Sequence, residues 1–438
     1  MLETLRRAVH PLFGSPADFE PLLARARSRR FVLLGEATHG SHEFYATRAE
    51  ITRRLILEQG CVAVAVEGDW PDAWEVNRYI RGLGDAADAT EALAGFRRFP
   101  QWMWRNADVL DFIGWLRSYN DDRPPEQRVG FYGLDLYSLH ASADAVLRYL
   151  DKVDPAAAAR ARDRYACFEQ FGDEPQAYGY AAHFGMSASC ERAVLDQLLE
   201  LRRSASRLAA LDGRQEPDEL FFVEQNARLV ASAERYYRAM FGGRSSSWNL
   251  RDGHMVETLE ALAALLAGQG RRGPIAVWAH NSHLGDARAT EMGRGGELNV
   301  GQLVREAHGH EALLVGFTTY DGTVTAASDW DAPAERKVVR PAREDSYEGL
   351  LHQLGVSAFL LDPAESATRA SLAPARLERA IGVVYRPDTE RRSHYFHAKL
   401  PEQFDLVIHF DRTRALEPLE RTPLWQRGEL PETYPSGL

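Results

Sequence analysis

At 438 residues, 45% hydrophobic and 26% charged, the chain is long enough for a sizeable core and has the composition of a folded globular protein. No apolar run reaches the roughly 18 residues of a membrane span. A net charge of -11 argues against a general nucleic-acid binder, which neutralises phosphates with clustered Lys and Arg.

The basic runs at Arg25, Arg27, Arg29, Arg30 and at Arg271, Arg272 are short and read as solvated helix faces and turns. The opening MLETLRRAVHPLFG carries charges where a signal peptide needs an apolar core, so secretion is not expected. Cys61, Cys167 and Cys190 form no CxxC pair, and the expectation is three free thiols in a reducing, cytoplasmic compartment.

In chain order, residues 2–30 read as helical and lead into an apolar strand at 31–35. Its carboxyl end is a polar elbow, GEATHGSHE, with Glu36 and His39 at its centre. A helix over 43–59 follows, and its apolar face, Phe44, Arg48, Ile51 and Leu55, contains an arginine. Burying that charge requires a carboxylate partner, so Arg48 is expected to meet one of the acids at the sheet edge.

A second strand over 62–66 is continuously apolar, the pattern of a strand covered on both faces, and ends at Glu67. Residues 68–120 are helical in period and rich in Trp. Most of these rings are expected in the core, while the loop 100–106, with Trp104, is placed to wall a pocket.

A third strand over 128–134 ends at Asp135. Residues 140–270 are largely helical and form an insertion or cap over the sheet. Near their end, Arg251, Asp252 and His254 fall at or near the start of an amphipathic helix, where Asp252 suits the helix dipole. The fourth strand, 275–279, runs into His280, Asn281 and His283, with Asn281 and Ser282 readable as turn formers. Further strands are expected at 313–318, 358–361, 381–385 and 406–410, with a short hairpin at 323–326 and a surface tail over 412–438.

The fold class is therefore α/β: a central largely parallel or mixed sheet flanked by helices, in a single domain over 1–438. The helical insertion forms one side of a cleft. If the first four strands are parallel, Glu36, His39, Glu67, Asp135, His280 and His283 line one rim, the edge at which open α/β sheets bind ligands.

Two chemistries suit that rim. A histidine can act as general base on water, with a carboxylate orienting it and an arginine or second histidine stabilising an oxyanion. Alternatively, a divalent metal held by His39, Glu67, His280 and His283 can lower the pKa of a bound water. No GxSxG elbow, Walker loop or GxGxxG fingerprint follows a strand, which excludes the usual serine hydrolase and nucleotide-binding signatures.

The segments GEATHGSHEF, VAVEGDWP, YGLDLYSL, WAHNSHLGD and GVVYRPDTERRSHYFHAKLPEQFDLVIHF together resemble the erythromycin esterase family, from the first strand to about Leu419. The resemblance implies an α/β hydrolase with a large cleft, whose bacterial antibiotic-resistance members open the macrolactone ester of macrolides. Other members are linked to polysaccharide synthesis.

By matching motif, the resemblance makes His39 the general base on water, with Glu36, Arg48, Glu67 and His280 as its catalytic partners. His283, Asp135, Trp104 and Arg251 are expected to contact substrate. No cofactor is required in the leading reading, and a divalent metal belongs to the alternative. The expected partner is a small molecule, a macrolide or another large ester, with no nucleic acid and no membrane. A non-catalytic binding protein for a large polar or glycosylated small molecule is the third reading.

Overall fold

The computed structural model describes residues 1–172, 174–212 and 217–428. Eleven strands lie among them. The central sheet contains β1 (Val9–Pro11), β2 (Phe31–Leu34), β3 (Ala63–Asp69), β4 (Gly130–Asp135), β5 (Ile275–Trp278), β6 (Ala312–Ala326), β7 (Glu335–Val339), β8 (Ala358–Leu361) and β11 (Leu406–Thr413). β9 (Arg376–Arg379) and β10 (Tyr395–Ala398) form a separate antiparallel pair.

The order of the large sheet is β1-β8-β11-β6-β2-β5-β3-β4, with β7 paired to β6. The six strands from β11 to β4 run parallel, whereas β1, β7 and β8 pair antiparallel with their neighbours. The sheet is thus mixed but mostly parallel, as expected.

The apolar runs are explained by the pleat. In β2, Phe31 and Leu33 enter one core cluster while Val32 and Leu34 enter the other. In β3, Ala63 and Ala65 face the first cluster and Val64 and Val66 the second. A strand covered by helices on both sides needs apolar residues at every position, so alternation disappears.

The helix after β2, His42–Gln59, ends at Gly60, whose φ of 67° is left-handed and terminates the helix without Cβ strain. Gly40 in the elbow has a different reason: a Cβ there would stand 1.8 Å from the Thr325 carbonyl oxygen. The elbow therefore packs directly on β6, and Thr325 N–H donates to the Gly40 carbonyl.

Among the described residues, six α-helices lie between β4 and β5: Leu139–Val153, Pro155–Tyr165, Pro175–His183, Glu191–Asp212, Pro217–Ala239 and Arg244–Gly268. Among the described residues, no helix is long and apolar enough to cross a membrane.

Several expectations are corrected. Residues 2–30 are not one helix: Leu2–Ala8 and Glu20–Ala26 flank β1, which adds an edge strand beside β8. Residues 313–318 and 323–326 belong to the single long strand β6, whose far end pairs with β7. Residues 381–385 are not a sheet strand but a brace under the elbow, joined by the isolated bridges Thr38–Ile381 and Ala327–Val384.

Residues 412 and 413 close β11, and Leu416 is fully buried with its N–H donating to Gly40, so this stretch packs in rather than trailing over the surface. Residues 429–438 of the expected tail lie outside the described residues. Cys167 and Cys190 are bonded as a disulfide with Cα atoms 6.0 Å apart, and Cys61 is the free, buried thiol. Tertiary packing of two helical segments brings that pair together across 23 residues, a spacing without a local signature. The thiol-count argument for a reducing compartment therefore falls away.

Candidate active site

The strands β2, β5, β3 and β4 are consecutive neighbours in the sheet, and each delivers a side chain to the same edge. At the end of β2, His39 Nδ1 is 2.8 Å from Glu36 Oε1. A buried carboxylate accepts, so Nδ1 is the donor and Nε2 is the ring nitrogen left to face the cleft.

Glu36 is in turn ion-paired through Oε2 to Arg48 Nη2 at 2.7 Å. Arg48 is fully buried, and its guanidinium lies over the Tyr45 ring at 4.3 Å and the Trp278 ring at 5.2 Å. The arginine on the apolar helix face thus has the acid partner that its burial demanded. Burial and the neighbouring Glu36 push the Tyr45 phenol well above its usual range, so it stays protonated and donates to the His39 carbonyl.

At the end of β3, Glu67 Oε1 lies 3.9 Å from His39 Nε2 and accepts from Arg251 Nη2 at 2.8 Å. Its Oε2 accepts the His280 backbone N–H at 2.9 Å, and Trp104 Nε1 donates to its backbone carbonyl. Burial works against the Glu67 charge, but His283, His39 and Arg251 outweigh it and hold the carboxyl well below the usual range. Asp135, at the end of β4, forms a two-pronged pair with Arg251 at 3.0 and 2.6 Å. Against burial, that pairing keeps Asp135 below the carboxylate range.

His283 is gripped from behind by Asp252, whose two oxygens each lie 2.9 Å from Nδ1. Burial disfavours its charge, but Asp252 and Glu67 overcome this and lift it to about 9. Its Nε2 lies between Glu67 Oε1 at 3.3 Å and Arg251 Nη1 at 3.1 Å. Trp248 stacks on the ring with centroids 4.5 Å apart.

His280 behaves in the opposite way. Burial and the neighbouring His39 lower it to about 3, so the ring is neutral. Ser282 N–H donates to Nδ1, which places the ring proton on Nε2. That N–H is buried and has no side-chain partner, with the Ala37 backbone carbonyl beside the ring. The His39 and His280 rings are 4.8 Å apart.

Two cavities meet here. One, of about 180 Å³, is walled by Trp104, Met103, Pro100, Tyr137 and Arg98; the other, of about 370 Å³, lies beside His280, His283 and Trp248. Both are lined by His39, Glu67 and Arg251.

All nine sequence candidates come together around these cavities, but the structure assigns several of them supporting contacts. Arg251 is locked by two carboxylates, Asp135 is committed to Arg251, and His283 to Asp252. Asp252 is no dipole cap. It lies inside the helix Arg244–Gly268, where its carboxylate meets His283 and the Val300 N–H.

Asn281, read as a turn former, is a clip between strands. Its backbone N–H donates to Glu36 O, while its side chain bonds the Phe317 carbonyl and N–H. Tyr137, Arg98 and Trp248 were not singled out in the sequence. Only the acid at the end of each strand hinted that cations such as Arg98, paired with Asp69 at 2.9 and 3.2 Å, had to be nearby.

A divalent ion would need converging free lone pairs at about 2.0–2.2 Å from the metal. Here Glu67 spends Oε1 on Arg251 and Oε2 on a backbone N–H, His283 has Nδ1 on Asp252 and Nε2 against Arg251 Nη1, and His280 Nδ1 accepts from Ser282. A guanidinium fixed among these groups repels a second cation, so the residues as arranged do not fit a metal. Among the described residues, no group of three or more His, Cys, Asp or Glu could hold an ion.

Fold and site define a class: an α/β protein with a buried histidine–carboxylate–arginine cleft at the carboxyl edge of its parallel strands. Residues 56–413 match the erythromycin esterase family, and the chain belongs to it as an ester-acting hydrolase. An erythromycin esterase type II of Escherichia coli is 24% identical over 330 residues, covering 70% of this chain and 73% of the relative. Two solved structures share the fold. One is a succinoglycan biosynthesis protein with 21% identity, TM-score 0.75, and coverage of 95% of this chain and 97% of the other. The second is a mutant of the erythromycin esterase EreC in its open conformation, with 18% identity, TM-score 0.66, and coverage of 96% and 98%.

Proposed function

We propose that this hydrolase opens a carboxylic ester of a small molecule with His39 as the base that activates water. The observation that carries the reading is the hydrogen bond from His39 Nδ1 to Glu36, which aims Nε2 at the junction of the two cavities, 3.9 Å from Glu67 Oε1.

A water on the cavity side of this pair, within reach of both, gives its proton to His39 Nε2 as its oxygen attacks the ester carbon. Glu67, held charged, orients the water and favours the imidazolium that forms. The carbonyl oxygen becomes an oxyanion, and the Nε2–H of His280, which has no side-chain partner, is the donor that meets it. Collapse breaks the bond to the alcohol oxygen, which takes the proton back from His39.

Cavities on both sides of His39 accommodate the acyl and alcohol portions of one large ester, the demand a macrolactone makes. The similarity to an erythromycin esterase supports trying macrolides first.

The test is turnover of a macrolide and ester panel by native protein and His39→Ala, each with and without a chelator. Native activity is expected to survive the chelator. His39→Ala is expected to fold but lose about 10²–10⁴-fold in kcat/KM. Undiminished activity in the variant would remove His39 from the mechanism.

A further inference from the structure

The two basic runs that read as unrelated surface segments converge in the fold. Arg27, Arg29 and Arg30, just before β2, and Arg271 and Arg272, just before β5, line one open cleft of about 980 Å³ at the amino ends of the parallel strands. This is the sheet edge opposite the esterase site.

Among the described residues, none of these five guanidiniums forms an ion pair with a carboxylate. Arg29 donates to the Arg25 carbonyl, and Arg271 donates to the carbonyls of Val62 and Arg128. Arg30 lies against the Phe31 ring. Arg27 and Arg272 are exposed, and among the described residues neither side chain makes a hydrogen bond or an ion pair. Nearby arginines behave differently: Arg25 is paired with Asp362, Arg54 with Glu20 and Glu58, and Arg81 with Asp218.

The two carboxylates on the cleft rim are directed elsewhere, Glu58 to Arg54 and Glu311 towards His308. A chain with net charge -11 thus concentrates uncompensated positive charge in one concavity.

We propose that this cleft binds a compact, multiply charged phosphate anion. Arginine presents a planar fork that matches phosphate oxygens two at a time, and several forks converging on one hollow select for more than one phosphate group. The acidic remainder of the surface disfavours an extended polyanion, because screening at physiological salt acts over only about 8 Å and a long duplex would run onto negative ground. Val62, Leu266 and Ile275 on the cleft floor leave room for an apolar portion, so inorganic and organic phosphates share the recognition chemistry.

The probe is inorganic tripolyphosphate, titrated calorimetrically into the full chain at low salt, with an adenosine triphosphate arm and a 20-base-pair DNA duplex arm. Arg27→Gln/Arg272→Gln removes two cations without disturbing a packed contact, and Arg192→Gln is the remote control. The expected result is saturable binding of tripolyphosphate, weakened about ten-fold or more in the double variant, unchanged in the control, with ester turnover unaffected in both. Tighter binding of the adenosine compound, with the same loss in the double variant, would assign an organic phosphate; equal or weaker binding would assign the phosphate group alone. No binding by native protein, equal binding by the double variant, or tighter binding of the duplex would each overturn the proposal.

Discussion

At the scale of single residues, the site is a study in opposite pressures on chemically identical groups. His280 and His283 are three positions apart and equally buried, yet one is lowered to about 3 and the other lifted to about 9. The difference is the partner: His280 faces another histidine and a serine, whereas His283 faces Asp252 and Glu67. Each imposes its own pH limit on stability. The folded value of His280 lies below the ordinary 6.5, so its stabilisation is present above that pH and is lost as pH falls towards 3. For His283 the folded value lies above 6.5, so its stabilisation is complete below that pH and is lost as pH rises through about 9. Chemical denaturation across pH is therefore expected to show a maximum near neutrality. His283→Gln should flatten the alkaline limb and His280→Gln the acid limb; limbs unchanged in both variants would refute these assignments.

At the scale of elements, the helix His42–Gln59 and the elbow before it are joined by one buried ion pair, Arg48 to Glu36. Removing one member leaves a charge stranded in the core, so Arg48→Met is expected to lose about 3–5 kcal/mol. Replacing both, as Glu36→Gln/Arg48→Met, should recover much of that stability while turnover stays low, because the orienting carboxylate of His39 is gone. Urea unfolding and turnover measured on native protein and these two variants check both halves. Recovery of activity with stability would mean that Glu36 serves folding alone. The brace formed by residues 381–385 belongs to the same scale: Ile381 N–H donates to the Ala37 carbonyl, and the Ile381 carbonyl accepts the His39 N–H at 3.3 Å. Its apolar run signalled burial correctly, but isolated bridges rather than a ladder satisfy its backbone.

At the scale of the whole molecule, the helix Arg244–Gly268, the last before β5, supplies Arg251, Asp252 and Trp248 to a site whose other members come from strand ends. The Cys167–Cys190 disulfide ties together two of the segments in the helical region between β4 and β5. Closing a loop of this length restricts the unfolded chain, so Cys190→Ser is expected to cost about 2–4 kcal/mol. Turnover per folded molecule should be retained, since neither cysteine lines the two site cavities. Calorimetric unfolding of the variant alongside reduced and oxidised native protein provides the check.

What the sequence determined by itself was local. Apolar runs with both faces buried located β2, β3, β4 and β5, and polar residues after each run located Glu36, His39, Glu67, Asp135 and His280. An arginine on an apolar helix face required an acid partner. These signals lie within a few residues of one another, where periodicity and burial cost act directly. Strand adjacency was decided only by the tertiary structure, because the order β2-β5-β3-β4 joins segments more than two hundred residues apart. The same holds for Asp252 behind His283, for the disulfide, and for the meeting of Arg27, Arg29 and Arg30 with Arg271 and Arg272. Their partners are fixed by long-range packing, which leaves no mark in either stretch of chain alone.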